Sequence, residues 1–140
     1  MNKPVTYRAD RVKAIFGGSH IVSGLDADSF ITIEANGGDT TMESGADGEV
    51  VRSVDASKMY KVTVVLQYGS PSDKWLMDMR KRDMSSSDGM FDMLIKDLGA
   101  DPLFTGQYCC LQNNPQRVYG KTGAAHSFVI LVGQGDFEPQ

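Results

Sequence analysis

The sequence predicts a mainly β protein: a two-sheet sandwich or partly closed barrel, with one short α-helix over residues 71–83 and a long loop over residues 36–57. Three observations carry this. Residues 58–68 alternate apolar and polar, as a half-buried strand does. Ser70-Pro71 opens one short helical pattern. Between strands lies a glycine-rich, acidic stretch that has little apolar surface to bury.

From the N-terminus, Val12-Lys13-Ala14-Ile15-Phe16 reads as a short strand. Gly17-Gly18 turns or bulges it, and His20-Ile21-Val22 resumes it. Ser29 to Ala35 alternates weakly, with Ile31 and Ile33 on one face and Phe30, Thr32 and Glu34 on the other. Asn36 to Ser57 holds Gly37, Gly38, Gly45 and Gly48, several Ser and Thr, and most of the acids of the N-terminal half; it reads as an exposed loop. Lys58 to Tyr68 is the clearest strand. Tyr60, Val62, Val64, Leu66 and Tyr68 form a core face, and Met59, Lys61, Thr63, Val65 and Gln67 a mixed one.

In the helix, Ser70 is placed as N-cap, Pro71 at the first position and Asp73 in a capping-box position. Trp75, Leu76 and Met79 make the apolar stripe, and Arg80, Lys81 and Arg82 are expected near the C-terminus, where cations suit the helix dipole. Met90 to Leu98, Leu103 to Leu111 and Gln116 to Tyr119 read as strands. Ser127 to Val132, closed by Gly133-Gln134-Gly135-Asp136, is a last one, apolar on both faces. Seven or eight strands result. A doubly apolar strand needs a cover on each side, and either the helix or another subunit would supply the second.

The 140 residues suit one domain, 1–140, burying roughly 70% of the surface of its unfolded chain. Apolar content of 41% and charged content of 23% are ordinary for a folded soluble protein. No secretory leader pattern follows Met1, and the longest apolar run, Phe128 to Val132, is far short of a membrane span; a cytoplasm-like compartment without a membrane anchor is expected. The formal charge of −4 is uneven. Residues 1–22 sum to +3, residues 23–57 to −7 (eight acids against Arg52), and residues 58–140 to zero. This excludes the broad basic face that sequence-specific nucleic-acid binding requires.

Chemistry-bearing constellations are missing. Cys109 and Cys110 are adjacent, which disfavours a mutual disulfide, and they lack metal or redox spacing; both read as small apolar fillers. His20 and His126 fall outside any ligand spacing with them and read as polar edge residues. No nucleophile elbow, P-loop or zinc-protease string occurs. The acids of 36–57 do not follow calcium-loop spacing. No catalytic residue, cofactor or metal site is assigned, and an enzyme is disfavoured.

The order of several segments is informative. Gly24-Leu25-Asp26-Ala27-Asp28-Ser29-Phe30-Ile31-Thr32-Ile33 is followed by Gly45-Ala46-Asp47-Gly48-Glu49-Val50-Val51-Arg52-Ser53. Then come Val62-Thr63-Val64-Val65-Leu66, Ser70-Pro71-Ser72-Asp73 with Leu76, and Phe91-Asp92-Met93-Leu94-Ile95-Lys96-Asp97-Leu98. This series, spanning about Val12 to Gly135, resembles the tail tube proteins of contractile-tailed bacteriophages. Relatives often carry asparagine after the Ser-Pro-Ser; Asp73 suits a helix N-terminus equally.

The resemblance implies a structural virion protein, assembled in the host cytoplasm. Hexameric rings would stack into the inner tail tube, with sheets of neighbouring subunits joined around a lumen through which DNA leaves. Its partners would be further copies of itself, the tail sheath, baseplate, tail terminator and tape-measure proteins, and phage DNA in transit without sequence-specific binding. The long loop, with Thr40, Thr41, Gly45, Ala46, Asp47, Gly48, Glu49, Val50 and Arg52, would reach an adjacent subunit or ring. Thr32, Glu34, Lys61, Thr63 and Gln67 are candidates to face the lumen. A baseplate tube initiator and a type VI secretion tube protein share the architecture and stand as alternatives. A monomeric β-barrel that binds a small ligand is the alternative of another class.

Overall fold

The structure, a computed structural model, describes residues 4–25, 30–99 and 102–138. Among these, a 3-10 turn (Ala9–Arg11) leads into nine strands and one α-helix: β1 Val12–Phe16, β2 His20–Ile21, β3 Ile31–Ala35, β4 Thr40–Ser44, β5 Val50–Val54, β6 Tyr60–Leu66, α1 Pro71–Ser86, β7 Phe91–Asp97, β8 Leu103–Leu111 and β9 His126–Glu138. Seven strands form one antiparallel sheet in the order β2-β1-β7-β8-β9-β6-β3. The other two, β4 and β5, pair only with each other. The described residues are therefore mainly β with one α-helix and two sheets, and no barrel closes among them.

One face of the large sheet makes the core. Ala14 and Phe16, Phe91, Met93 and Ile95, Phe104, Cys109 and Leu111, Phe128, Ile130 and Val132, and Val62, Val64 and Leu66 are all buried there. Each large side chain so buried contributes about 1.5–3 kcal/mol relative to exposure. Helix α1 lies on this same face, adding Leu76 and Met79 to the cluster, with Trp75 against Phe16 and Phe91. The helix thus does not cover Val129 and Leu131, which belong to the opposite face of β9 and are half-buried.

The expected core face of the 58–68 segment holds at Val62, Val64 and Leu66, while Tyr60 is half-buried and Tyr68 lies beyond the strand, exposed. Cys109 is buried and Cys110 half-buried, both free thiols. Burial and the nearby Asp92 carboxylate push the Cys109 thiol up to about 12.

Four local readings are corrected. The 36–57 segment is no irregular loop; it contains the β4–β5 hairpin. The helix runs to Ser86, three residues past the expected end, so Arg80, Lys81 and Arg82 sit within it and the last turn holds no cation. It stops at Ser87, whose left-handed backbone (φ 56°) sends its N–H to the Asp83 carbonyl. Residues 116–119 make no strand, and β9 continues through Gly133 and Gly135 to Glu138. At Gly135 a Cβ would stand 2.6 Å from the Tyr60 ring and 2.9 Å from Phe104, so glycine is what lets this strand pass the aromatic cluster.

The helix start is tied to the first turns of the chain. Ser70 Oγ accepts from the Ser72 N–H (3.2 Å) and donates to the Ser23 carbonyl (2.6 Å). Gly24, at φ 70°, approaches so closely that a Cβ would meet Ser70 at 2.7 Å. Leu25 then bridges Leu66, and Gln67 N–H donates to the Gly24 carbonyl, carrying the chain from one edge of the sheet to the other.

Candidate assembly surfaces

The hairpin is built by its own backbone. Thr40 pairs Val54, Met42 pairs Arg52, and Ser44 pairs Val50. Gly45 and Glu49 close the turn by an N–H···O bond of 2.8 Å, with Gly48 left-handed at φ 85°. At the root, the Asp55 carboxylate accepts from Gly38 N–H and Ser57 N–H, both at 3.0 Å. These two donors hold its carboxyl below the usual value.

Every residue of both strands is exposed, including Met42, Val50, Val51 and Val54, each more than 60% accessible. A hairpin with no packed face is marginal by itself, and this one carries apolar side chains outward on both faces. The residues expected to contact a neighbour are all brought together here. Thr40, Thr41, Val50 and Arg52 lie on the strands, and Gly45, Ala46, Asp47, Gly48 and Glu49 in the turn.

The second candidate surface is the outer face of β3 and β6. Glu34 stands opposite Lys61 and Thr32 opposite Thr63, so the register joins four of the five lumen candidates in one patch. Val129 continues it beside Thr63, and Leu131 beside Lys61. Glu34 and Lys61 do not close into an ion pair in this arrangement. Gln67 is not part of the patch: it lies past the end of β6, where its N–H turns to Gly24.

Of the two histidines, His20 does lie on an edge strand, β2, half-buried, whereas the edge reading of His126 is corrected. His126 is buried; its Nδ1 lies 2.7 Å from Asp73 Oδ2, and Arg117 Nη2 donates to Asp73 Oδ1 at 2.7 Å. Asp73 therefore does not close a capping box; its carboxylate reaches β9 and the 112–125 connection instead. His20 stacks on Trp75, 4.9 Å between ring centres and 8° from parallel, and its Nε2 bonds Ser72 Oγ at 2.9 Å. Burial lowers its pKa. Only the helical placement of Asp73 hinted at the first cluster, since its partners are distant in sequence. Its acid is already paired with both basic groups, a structural arrangement that holds the helix start to the sheet.

The fold is thus an antiparallel sheet with a helix on its core face, two edge strands, β2 and β3, and a hairpin that pairs with neither edge. A family model described as the bacteriophage PhiTE tail tube protein matches residues 8–138. The chain belongs to this tail tube family, a structural family and not one of enzymes. A structural protein, ORF10, of Pseudomonas phage KPP10 is 28% identical over 140 residues, covering 95% of this chain and 81% of that protein. Among solved structures, the tube-terminating cap of the anti-feeding prophage superposes with a TM-score of 0.62 at 10% identity, over 100% of this chain and 95% of the cap. A chain of the PVC extracellular contractile injection system, from its extended sheath–tube complex, gives 0.62 at 14%, over 96% and 93%. At such identities these two demonstrate a shared fold.

Proposed function

We propose that the chain, acting as a single unit, assembles into hexameric rings that stack as the inner tube of a contractile phage tail, through which DNA passes during ejection. The observation that carries this reading is the β4–β5 hairpin, wholly exposed and with apolar side chains on each face, in a chain of the tail tube family. The open edges β2 and β3 support it, because a ring of copies would pair them. In the ring the Thr32–Thr63 and Glu34–Lys61 patch faces the lumen, where a neutral or acidic wall lets phosphates slide.

A sheath around the tube, a baseplate below, a terminator above and a tape-measure protein within are the partners this role calls for, with assembly in the host cytoplasm. Size-exclusion chromatography with negative-stain microscopy tests the reading: rings or tubes are expected at high concentration. A strictly monomeric chain, absent from virion tails, would overturn it in favour of a lone ligand-binding module.

A further inference from the structure

A second exposed apolar feature lies far from the hairpin. A cleft of about 280 Å³ opens between Tyr68, just past β6, and the 112–125 connection before β9. Tyr68, Val118 and Tyr119 at its rim are 71%, 57% and 85% exposed. The connection is not loose: Arg117 is held by Asp73, and Gly123 packs on Tyr68 so tightly that a Cβ there would lie 3.1 Å away.

We infer that this cleft receives the β4–β5 hairpin of a second copy stacked head to tail. The inference rests on the tube-subunit reading and goes beyond it by naming the acceptor. Three observations support it. The first is position. The hairpin leaves the sheet where Ala35 pairs Tyr60, and the cleft lies at the Leu66 end of the same strand. The seven residues of β6 put about 20 Å between those ends. The hairpin and cleft of one chain cannot meet without folding the hairpin back over the sheet, whereas translation along the strand brings one copy's hairpin to the next copy's cleft.

The second is charge. Residues 36–57 carry Asp39, Glu43, Asp47, Glu49 and Asp55 against Arg52 alone, while residues 112–125 carry no acid and, with Arg117 taken up by Asp73, offer Lys121 as their exposed cation. Lys74 and Lys81 of α1 line an adjoining hollow that shares Tyr68 and His126 with the cleft, together with Asp78 and the already paired Asp73. The third is surface type. Val50 and Val51 beside the hairpin turn are each 62% exposed, and they match the aromatic rim in needing cover. Two different surfaces meeting in this way form a contact that repeats without closing, which is what a tube of indefinite length requires.

Photo-crosslinking tests the assignment. Benzoylphenylalanine at Val50, in assembled tubes, is expected to link to Tyr68 or to residues 118–123 of the neighbouring copy. Links confined to any other surface of the neighbour overturn the inference while leaving the tube reading intact. An unsubstituted chain that never assembles overturns both. Where the probe itself blocks assembly, Lys121→Glu and Tyr119→Asp decide. Both positions are exposed, so thermal melting of the monomer should not change, and tube elongation should slow about tenfold, more so at low salt for Lys121→Glu. Adding Glu49→Lys to Lys121→Glu should recover part of the rate. Elongation at the original rate in both single variants overturns the inference.

Discussion

Asp73 in the first turn of α1 and His126 at the start of β9 lie 2.7 Å apart, carboxylate oxygen to ring nitrogen, across 53 residues of sequence. The contact is buried, and Arg117 satisfies the other carboxylate oxygen. It ties the helix start to a central strand and anchors the 112–125 connection at the same point.

Asp73→Ala should therefore cost about 1–3 kcal/mol, because it leaves a buried imidazole and a guanidinium without their acceptor. Urea unfolding checks this through the midpoint at unchanged slope. A loss under about 0.5 kcal/mol would show that the cluster is not a structural tie.

His20 should report on pH through Trp75, the single tryptophan. Burial favours the neutral ring, so the folded pKa lies below 6.5. This contribution to stability is complete above pH 6.5 and is lost as pH falls through the window from 6.5 down to the folded value. Tryptophan fluorescence should change with a midpoint under 6.5, and His20→Gln should abolish that step. A midpoint at or above 6.5 contradicts the expectation.

Removal of Thr40 to Val54 should leave the large sheet folded and stop tube growth. Every deleted side chain is exposed, and the Asp55 N–H already reaches the Asp39 carbonyl at 3.1 Å, so a short join spans the gap. Circular dichroism and melting of the monomer check the first half, and microscopy the second. Loss of the folded monomer would place the hairpin within the fold itself.

Thr63→Arg should give tubes that assemble but release DNA slowly, with the defect eased by salt. A single added cation is repeated around every ring and along the whole tube, and phosphate attraction is screened within about 10 Å at 0.1 M salt. DNA ejection timed at two salt concentrations measures it. Position 63 found against the sheath in an assembled tail would remove the reason for the effect.

Phe16→Ala or Phe128→Ala, at two fully buried positions, should destabilise the chain by about 3–5 kcal/mol. A matched change at Tyr119, 85% exposed, should leave the monomer melt within about 0.5 kcal/mol. Chemical denaturation compares the two, and equal losses would contradict the assignment of the core to one face of the sheet.

By itself the sequence determined those features whose signals are local. The alternation at Val62, Val64 and Leu66 announced a core strand, and Ser70-Pro71 announced a helix start, because each pattern reflects the geometry of a few consecutive residues. The ordered segments likewise carried the family. Only the tertiary structure decided what depends on distant partners. The β4–β5 strands have no buried face in the chain, so no core alternation marks them, and pairing across the Gly45–Glu49 turn makes them strands. Gly133 and Gly135 read as a stop, yet β9 runs on, because β8 pairs along its length and aromatic rings take the space side chains would need. Val118 and Tyr119 look strand-like but have no ladder partner, and Arg117 is drawn to Asp73 instead. Asp73 had a sound local role as a capping acid, but the Ser70 N–H it would have bonded donates to the Gln67 carbonyl, and a buried histidine and an arginine contributed from elsewhere occupy its carboxylate.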